Sequence, residues 1–372
     1  MPSWLAKILG SVYSKIPSAW RPPLKRIFLW LLLRIQAIAE RRSVERGMRI
    51  EFLDFEIANL EPFELLGTTR QGAFVRAEAS CVSPGTERAV LCGLPGARRP
   101  FPYVPGYSTA GVVVRAGRDS GLNPGDRVAG RMPHASHGVM VPGNLFRVPA
   151  NVSSADASFI ELGIICLQGI RKASIRPGER IAVVGQGLIG QLALRLARIA
   201  GGEAITAVAA SRRRMETALR NGADRFIALS DSDVAIDQIE AEVVIEAVGS
   251  APAVALAMRA ARRGGRVVLL GSSRDLGRNL DWWRMAQERD LTIVGAHIGA
   301  LPRTESSATL WTYQQEGRLF LDLLARGDLA MADLVTWQPK PEECNRVYEV
   351  LADGGGEHVG IVVDWAGAPA SS

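Results

Sequence analysis

The 372-residue sequence predicts an α/β protein in which a β-rich region precedes a doubly wound parallel sheet. Three observations predict it. Short apolar runs punctuated by Gly and Pro fill residues 50–149, and a regular alternation of apolar strands and amphipathic helices follows Pro177-Gly178. A glycine-rich turn, Gly185-Gln186-Gly187-Leu188-Ile189-Gly190, joins the first strand of that alternation to its first helix. With 47% hydrophobic and 22% charged residues the chain is too apolar for disorder, and its length accommodates two domains.

In the β-rich region, strands are expected at 72–77, 110–115, 127–129 and 138–141, with Asn123-Pro124-Gly125-Asp126 as a turn between two of them. Helical periodicity covers 155–173. Then come a buried strand at 181–184, a helix at 188–199, a strand at 204–209, a helix at 215–219 and strands at 225–228, 243–247, 266–270 and 291–294. A helix is expected at 305–325 and a late strand at 359–363, which returns to the first domain. The expected organisation is a basic arm at 1–49, a first catalytic segment at 50–171, a nucleotide-binding domain at 172–298, a catalytic return segment at 299–366 and a tail at 367–372.

Net charge is +6 and uneven. Residues 1–49 hold ten basic side chains against Glu40 and Glu45, a balance of +8, so the rest of the chain carries −2. A high pI that comes from one arm is poor evidence for a nucleic-acid-binding body, and no nucleic-acid partner is expected. Within the arm, Ile27–Leu33 is apolar between Lys25-Arg26 and Arg34, and Pro22-Pro23 suits a helix start. The run is far short of the ~20 residues that span a bilayer. Two readings stay open: a helix in the interface of an anionic membrane, with Trp4, Trp20 and Trp30 at headgroup depth, or an arm packed on its own core or on a partner subunit. Cys81, Cys92, Cys166 and Cys344 form no disulfide or finger-type framework, so a reducing, cytoplasmic setting is expected. A homodimer is expected too.

The glycine spacing carries its own chemistry. Gly185 permits the tight turn, Gly187 lets backbone approach a pyrophosphate, and Gly190 lets the helix pack closely on the strand. Amides at that helix start face phosphates. NAD-binding turns place a carboxylate at the end of the second strand. Here that strand ends Val208-Ala209-Ala210 and continues Ser211-Arg212-Arg213-Arg214, so Ser211 and Arg212 are expected to hold a 2′-phosphate, favouring NADP over NAD.

Val104-Pro105-Gly106-Tyr107, Ala110-Gly111-Val112-Val113, Gly125-Asp126-Arg127-Val128 and then the glycine-rich turn follow one another in an order that resembles the medium-chain dehydrogenase/reductase superfamily. The resemblance covers about residues 50–366. It implies a GroES-like catalytic domain built from both ends of the body, a Rossmann domain inserted at about 172–298, and substrate in the cleft between them. Val82-Ser83-Pro84-Gly85-Thr86-Glu87 resembles the signature of a threonine-dehydrogenase-like branch, with a related stretch in bacteriochlorophyllide dehydrogenase. The resemblance also assigns Gly249, Ser250, Gly271 and Ser272 to the ribose and nicotinamide side of the cofactor.

Where zinc alcohol dehydrogenases carry metal ligands, this sequence has Pro84, Tyr107 and Ser108, and among those positions only Glu161 still matches a ligand. One carboxylate cannot supply the three protein ligands of catalytic zinc, so no zinc is expected. A substitute set of Cys81, His134 and His137 is allowed by residue type alone. The developing oxyanion then needs another partner and a proton. Candidates are Thr86, Tyr107, His134, Glu161 and His297. Four of them have a plain alternative: Thr86 a helix cap, Tyr107 a ring filling the metal space, His134 a satisfied loop histidine, Glu161 a buried remnant. Cys166 reads as packing. Trp282, Trp283 and Trp311 could line an apolar channel or a subunit contact. The expected function is zinc-independent, NADP-linked hydride transfer on a carbonyl/alcohol pair of a small, hydrophobic substrate. The alternatives are an NADPH-dependent enone reductase and a non-catalytic scaffold or sensor.

Overall fold

The computed structural model describes residues 30–31, 33–34, 43–67, 70–231, 236–272, 280–307, 310–354 and 356–367. Most of the basic arm, Ser273 and the final tail lie outside them. Among the described residues no helix is long and apolar enough to cross a membrane.

The described body begins with an antiparallel hairpin, β1 (Val44–Asp54) and β2 (Ile57–Leu66), which crosses the expected 49/50 boundary. Its charges pair across strands: Arg46 lies opposite Glu64 and donates to it at 3.1 Å. Arg34, within the arm, donates to the same carboxylate at 2.9 and 3.1 Å, so this part of the arm touches the hairpin.

Next along the chain come β3 (Ala73–Cys81), α1 (Pro84–Leu91), β4 (Thr109–Ala116), β5 (Arg127–Gly130), β6 (His137–Met140) and β7 (Leu145–Arg147). The four strands expected here are present, displaced by a few residues. The helical stretch at 155–173 is divided into α2 (Ser154–Ala157), capped by the Ser153 hydroxyl, and α3 (Ile160–Ala173). The alternating region follows: β8 (Arg180–Val184), α4 (Leu188–Ile199), β9 (Ala204–Ala209), α5 (Met215–Arg220), β10 (Arg225–Ala228), β11 (Ala241–Glu246), α6 (Ala251–Ala260), β12 (Ala261–Leu269) and β13 (Thr292–Gly295). The chain closes with α7 (Tyr313–Arg326), β14 (Val335–Trp337), α8 (Cys344–Ala352) and β15 (Gly360–Asp364). α7 starts later than the helix expected at 305–325. Thr312 and Gln315 form a reciprocal capping box there, which sets the first turn.

Two sheets organise the body. Strands β14, β15, β3, β4, β5 and β7 run in that spatial order, with β6 also on β3, so the late strand β15 does return to the first domain, antiparallel to β3. The second sheet is all parallel, in the order β10-β9-β8-β11-β12-β13. Its strand order reverses between β8 and β11, which is where such sheets bind dinucleotides.

Helix α3 joins the two halves. It is apolar on most sides (Ile160, Leu162, Ile164, Leu167 and Ile170 are all buried), as a helix buried all round must be. One continuous core therefore runs from Phe146 and Phe159 in the β-rich half to Val183 and Leu192 in the parallel half.

Candidate active site

The glycine-rich turn follows β8 directly. Gly185 has φ +95°, and a Cβ on it would lie 2.4 Å from Val248 Cγ2. A Cβ on Gly190 would lie 1.8 Å from the Gly185 carbonyl oxygen, so helix and turn meet backbone to backbone. α4 opens at Gly187 with no side-chain cap, which leaves the amides of its first turn to a ligand. Gln186 is held in the turn by its own side chain, whose Nε2 donates to Val183 O at 2.8 Å. Leu188 is buried and Ile189 packs on the shared core.

The ends of the neighbouring strands close around this turn. The buried Glu246 carboxylate, at the end of β11, accepts from the amides of Val248 and Gly249 at 2.7 Å each. Burial pushes its pKa up, and those two amides oppose the shift. Gly249 has φ +83° and lies against Ser272, while Gly271 lies against Val248 and Gly249. Ser250 caps α6 through Ala253 N at 3.4 Å. This is a cradle of backbone that fits a dinucleotide.

At the end of β9, Ser211 and Arg212 are exposed, and Arg212 pairs with Asp231 at 2.9 and 3.1 Å. Arg214, two residues on, turns the other way. It donates to Gln186 O at 3.1 Å and to His358 O at 2.7 Å, joining the glycine-rich turn to the returning catalytic segment.

The opposing cluster comes from the β-rich half. Thr109 of β4 pairs with Gly130 of β5, so Tyr107 and Arg131 leave the sheet at the same end. Ser108 Oγ donates to Ser158 O at 2.6 Å and accepts from Glu161 N at 3.1 Å, which ties the start of α3 to that end. Arg131 Nη2 donates to Glu161 Oε2 at 2.9 Å, and the Tyr313 hydroxyl donates to Glu161 Oε1. Burial raises the Glu161 pKa, with Arg131 and Tyr313 pulling the other way. Tyr107 is half-buried, and its hydroxyl donates to Ser83 Oγ at 2.8 Å. Burial pushes this phenol well above its ordinary pKa against the hydrogen bonds to Ser83 and Thr86, so it keeps its proton at neutral pH. Thr86 sits inside α1 rather than at its cap. The N-cap is Ser83, whose amide donates to Glu87 Oε1 at 2.7 Å.

The two histidines lie elsewhere. His134 is 0% exposed, with Nδ1 2.7 Å from Ser80 Oγ and Nε2 3.1 Å from Glu87 Oε2. Tyr348 donates to the same carboxylate at 2.6 Å, and Trp365 Nε1 donates to Ser80 Oγ at 2.8 Å. His134 is thus a core group with both ring nitrogens occupied. His297 is exposed and uses Nδ1 to accept from Gly299 N at 3.1 Å.

Zinc does not fit these donors. Pro84 has no donor, Tyr107 is a protonated phenol, and Glu161 is already held by a guanidinium and a phenol. Among the described residues no three His, Cys, Asp or Glu side chains come together in a metal-binding group. The substitute set fails geometrically as well: Cys81 is buried, donating to Val82 O, and His137 stacks on Phe74.

Sequence reading passed over Arg131, Arg214 and Glu246. A carboxylate ending an apolar strand was a usable signal for Glu246. Nothing in the sequence singles out Arg131 or selects Arg214 from its run of three.

A family model described as "Zinc-binding dehydrogenase" matches residues 189–312. A D-guloside 3-dehydrogenase of Escherichia coli strain K12 is 27% identical over 251 residues, 64% of this chain and 71% of that one. A 2-methylene-furan-3-one reductase of Solanum lycopersicum is 29% identical over 211 residues, 53% of this chain and 54% of that one. An NADP-bound structure from Sinorhizobium meliloti 1021, assigned as a zinc-binding dehydrogenase, superposes with a TM-score of 0.72 at 21% identity, covering 86% of this chain and 99% of that one. The strand order, the glycine-rich turn and the split β-rich half thus give the chain the two-domain fold of that solved structure, and its residues 189–312 match the zinc-binding dehydrogenase family model.

Proposed function

We propose that this protein is a zinc-independent, NADP-linked oxidoreductase acting on a carbonyl/alcohol pair of a hydrophobic substrate. The observation that carries the reading is the cluster of Tyr107, Arg131 and Glu161, joined through α3 to the glycine-rich turn. Five residues after Glu161 on that helix, Cys166 Sγ lies 3.7 Å from Ile189 O, at the start of α4. At 1.5 Å per residue the two ends of this link are separated by about 7.5 Å of helix rise.

Bound nicotinamide supplies or accepts the hydride. The chain's residues hold the rest. The turn and the uncapped start of α4 bind pyrophosphate, and Gly249, Ser250, Gly271 and Ser272 shape the ribose and nicotinamide side. Ser211 offers a hydroxyl, and Arg212 the edge of its guanidinium that Asp231 does not hold, to a 2′-phosphate where NAD-specific turns carry a carboxylate. Tyr107 retains its single hydroxyl proton, and by rotating it away from Ser83 Oγ it donates to a substrate oxygen. Reduction of a conjugated double bond is the second reading, favoured by the identity to the tomato reductase.

Fluorescence titration with NADPH and NADH tests the cofactor assignment. Wild type is expected to prefer NADPH by about tenfold or more, the scale of one charge-assisted hydrogen bond, and Arg212→Ala to lose most of that preference. Equal affinity for both cofactors overturns it. NADPH oxidation with matched ketone and enone panels separates the two chemistries. For residues 1–49, the +8 balance and the exposed Trp30 and Leu31 support a peripheral membrane role. Sedimentation of the full chain with anionic but not neutral vesicles is the expected result, and equal behaviour with both removes that role.

A further inference from the structure

We propose that Arg131 is the oxyanion-binding residue of the cleft: anchored by Glu161, its guanidinium presents its remaining N–H donors to the substrate oxygen. The inference rests on the hydride-transfer reading above and deepens it by naming the electrophile.

The argument starts from the donor count. A guanidinium carries five N–H donors in a rigid fork. Nη2 serves Glu161 at 2.9 Å, and no other described residue accepts from this side chain. The partners are unequally placed: the Glu161 side chain is 0% exposed, whereas that of Arg131 is 42% exposed. The carboxylate therefore anchors one edge of the fork inside the protein while the opposite edge stays open. An Arg remains charged at any working pH.

Direction comes from the backbone. The β4–β5 register brings Arg131 off the sheet at the same end as Tyr107, and against the cost of burial the Glu161 carboxylate holds the guanidinium pKa up. Arg131 N donates to Asn144 O at 3.0 Å, which fixes the residue as it leaves β5. Chemistry supplies the need. When hydride adds to a carbonyl carbon, the C=O π pair moves onto oxygen. The resulting alkoxide takes a proton from solvent or from Tyr107, which is then reprotonated from water. The carbonyl is reduced and the dihydronicotinamide oxidised. The donor set around Glu161 cannot hold a metal, so a fixed side-chain cation is the group positioned to stabilise that charge. Preorganised charges of this kind contribute most where water is excluded.

Benzoate, an oxyanion on an apolar ring, is the probe, titrated calorimetrically into the full chain saturated with NADP. Arg131→Gln is expected to weaken benzoate at least tenfold while leaving NADP affinity unchanged, and Arg131→Lys to keep part of the binding. Glu161→Gln is the decisive partner. Removing the competing carboxylate should tighten benzoate if Arg131 faces the ligand, whereas a merely structural pair predicts weaker binding and a less stable protein. Glu161→Gln also keeps the test usable if Arg131→Gln does not fold. Benzoate affinity equal in wild type and Arg131→Gln, or NADP binding without any benzoate binding in wild type, overturns the proposal alone. Failure of wild type to bind NADP or NADPH overturns the hydride-transfer reading, and this proposal with it.

Discussion

Glu87 and Glu161 are both buried carboxylates with a cationic or titratable partner and a tyrosine donor, yet they belong to different kinds of site. Glu87 accepts from Tyr348, from Ser83 N and, on the other side, meets His134, and every one of those partners is buried. Glu161 accepts from Tyr313 and Arg131, and Arg131 opens outward. The lesson is that burial of a carboxylate does not locate chemistry. What distinguishes the two is whether its partner has donors left over and a surface to show them on. In the Glu87 cluster both histidine nitrogens are occupied, so it orders the β-rich core around α1, β3 and α8. In the Glu161 cluster the guanidinium fork is used on one edge only.

The largest expected difference is in stability. Glu87→Ala strands His134, Tyr348 and the Ser83 amide in a closed core. Each buried polar group left unsatisfied costs about 1–3 kcal/mol, and three at once are read as a large fall in the urea midpoint. Arg131→Gln, by contrast, is expected to cost about 1–2 kcal/mol because water can reach the vacated edge of Glu161. A loss as large for Arg131→Gln as for Glu87→Ala would erase the distinction between the two clusters.

A smaller effect is the pH dependence of Glu161. Burial raises its pKa above the ordinary 4.5 despite Arg131 and Tyr313. The folded state therefore holds this proton more tightly than the unfolded chain. Its contribution to stability is complete below the unfolded value and is lost as pH rises through the folded one. Glu161→Gln removes that dependence, so the stability of wild type relative to this variant should fall as pH rises from about 4.5. Denaturant midpoints at several pH values check the slope, and a difference that grows with pH would reverse the assignment. Glu246, also raised by burial, adds a slope of the same sign to both proteins and cancels in the comparison.

Much of the parallel half was legible because its signals are local. The expected 188–199 helix and the 204–209 and 225–228 strands coincide with α4, β9 and β10, since apolar period and glycine spacing are properties of short windows. The β1–β2 hairpin was not legible. Its first strand carries Arg46 and Arg49, which read as part of the charged arm, while Glu51, Glu61 and Glu64 fall in a stretch where no strand was expected, until the register sets Arg46 opposite Glu64. In the site, Tyr107 and Glu161 were reached through resemblance to a family. Arg131 was not, because its meaning depends on Thr109 lying opposite Gly130, a pairing between residues far apart in sequence.

What the sequence by itself determined is the glycine-rich turn and the alternation that builds a parallel sheet behind it, both of which follow from residue type and near-neighbour spacing. The absence of metal ligands at positions 84, 107 and 108 was legible only through resemblance to a family. Tertiary structure alone decided which polar groups are spent and which are free. It enclosed His134 with Glu87, bound Arg212 to Asp231, turned Arg214 onto the glycine-rich turn and left Arg131 half open beside Tyr107. A hydrogen-bond donor has no fixed role until strand register and packing settle which acceptors it can reach.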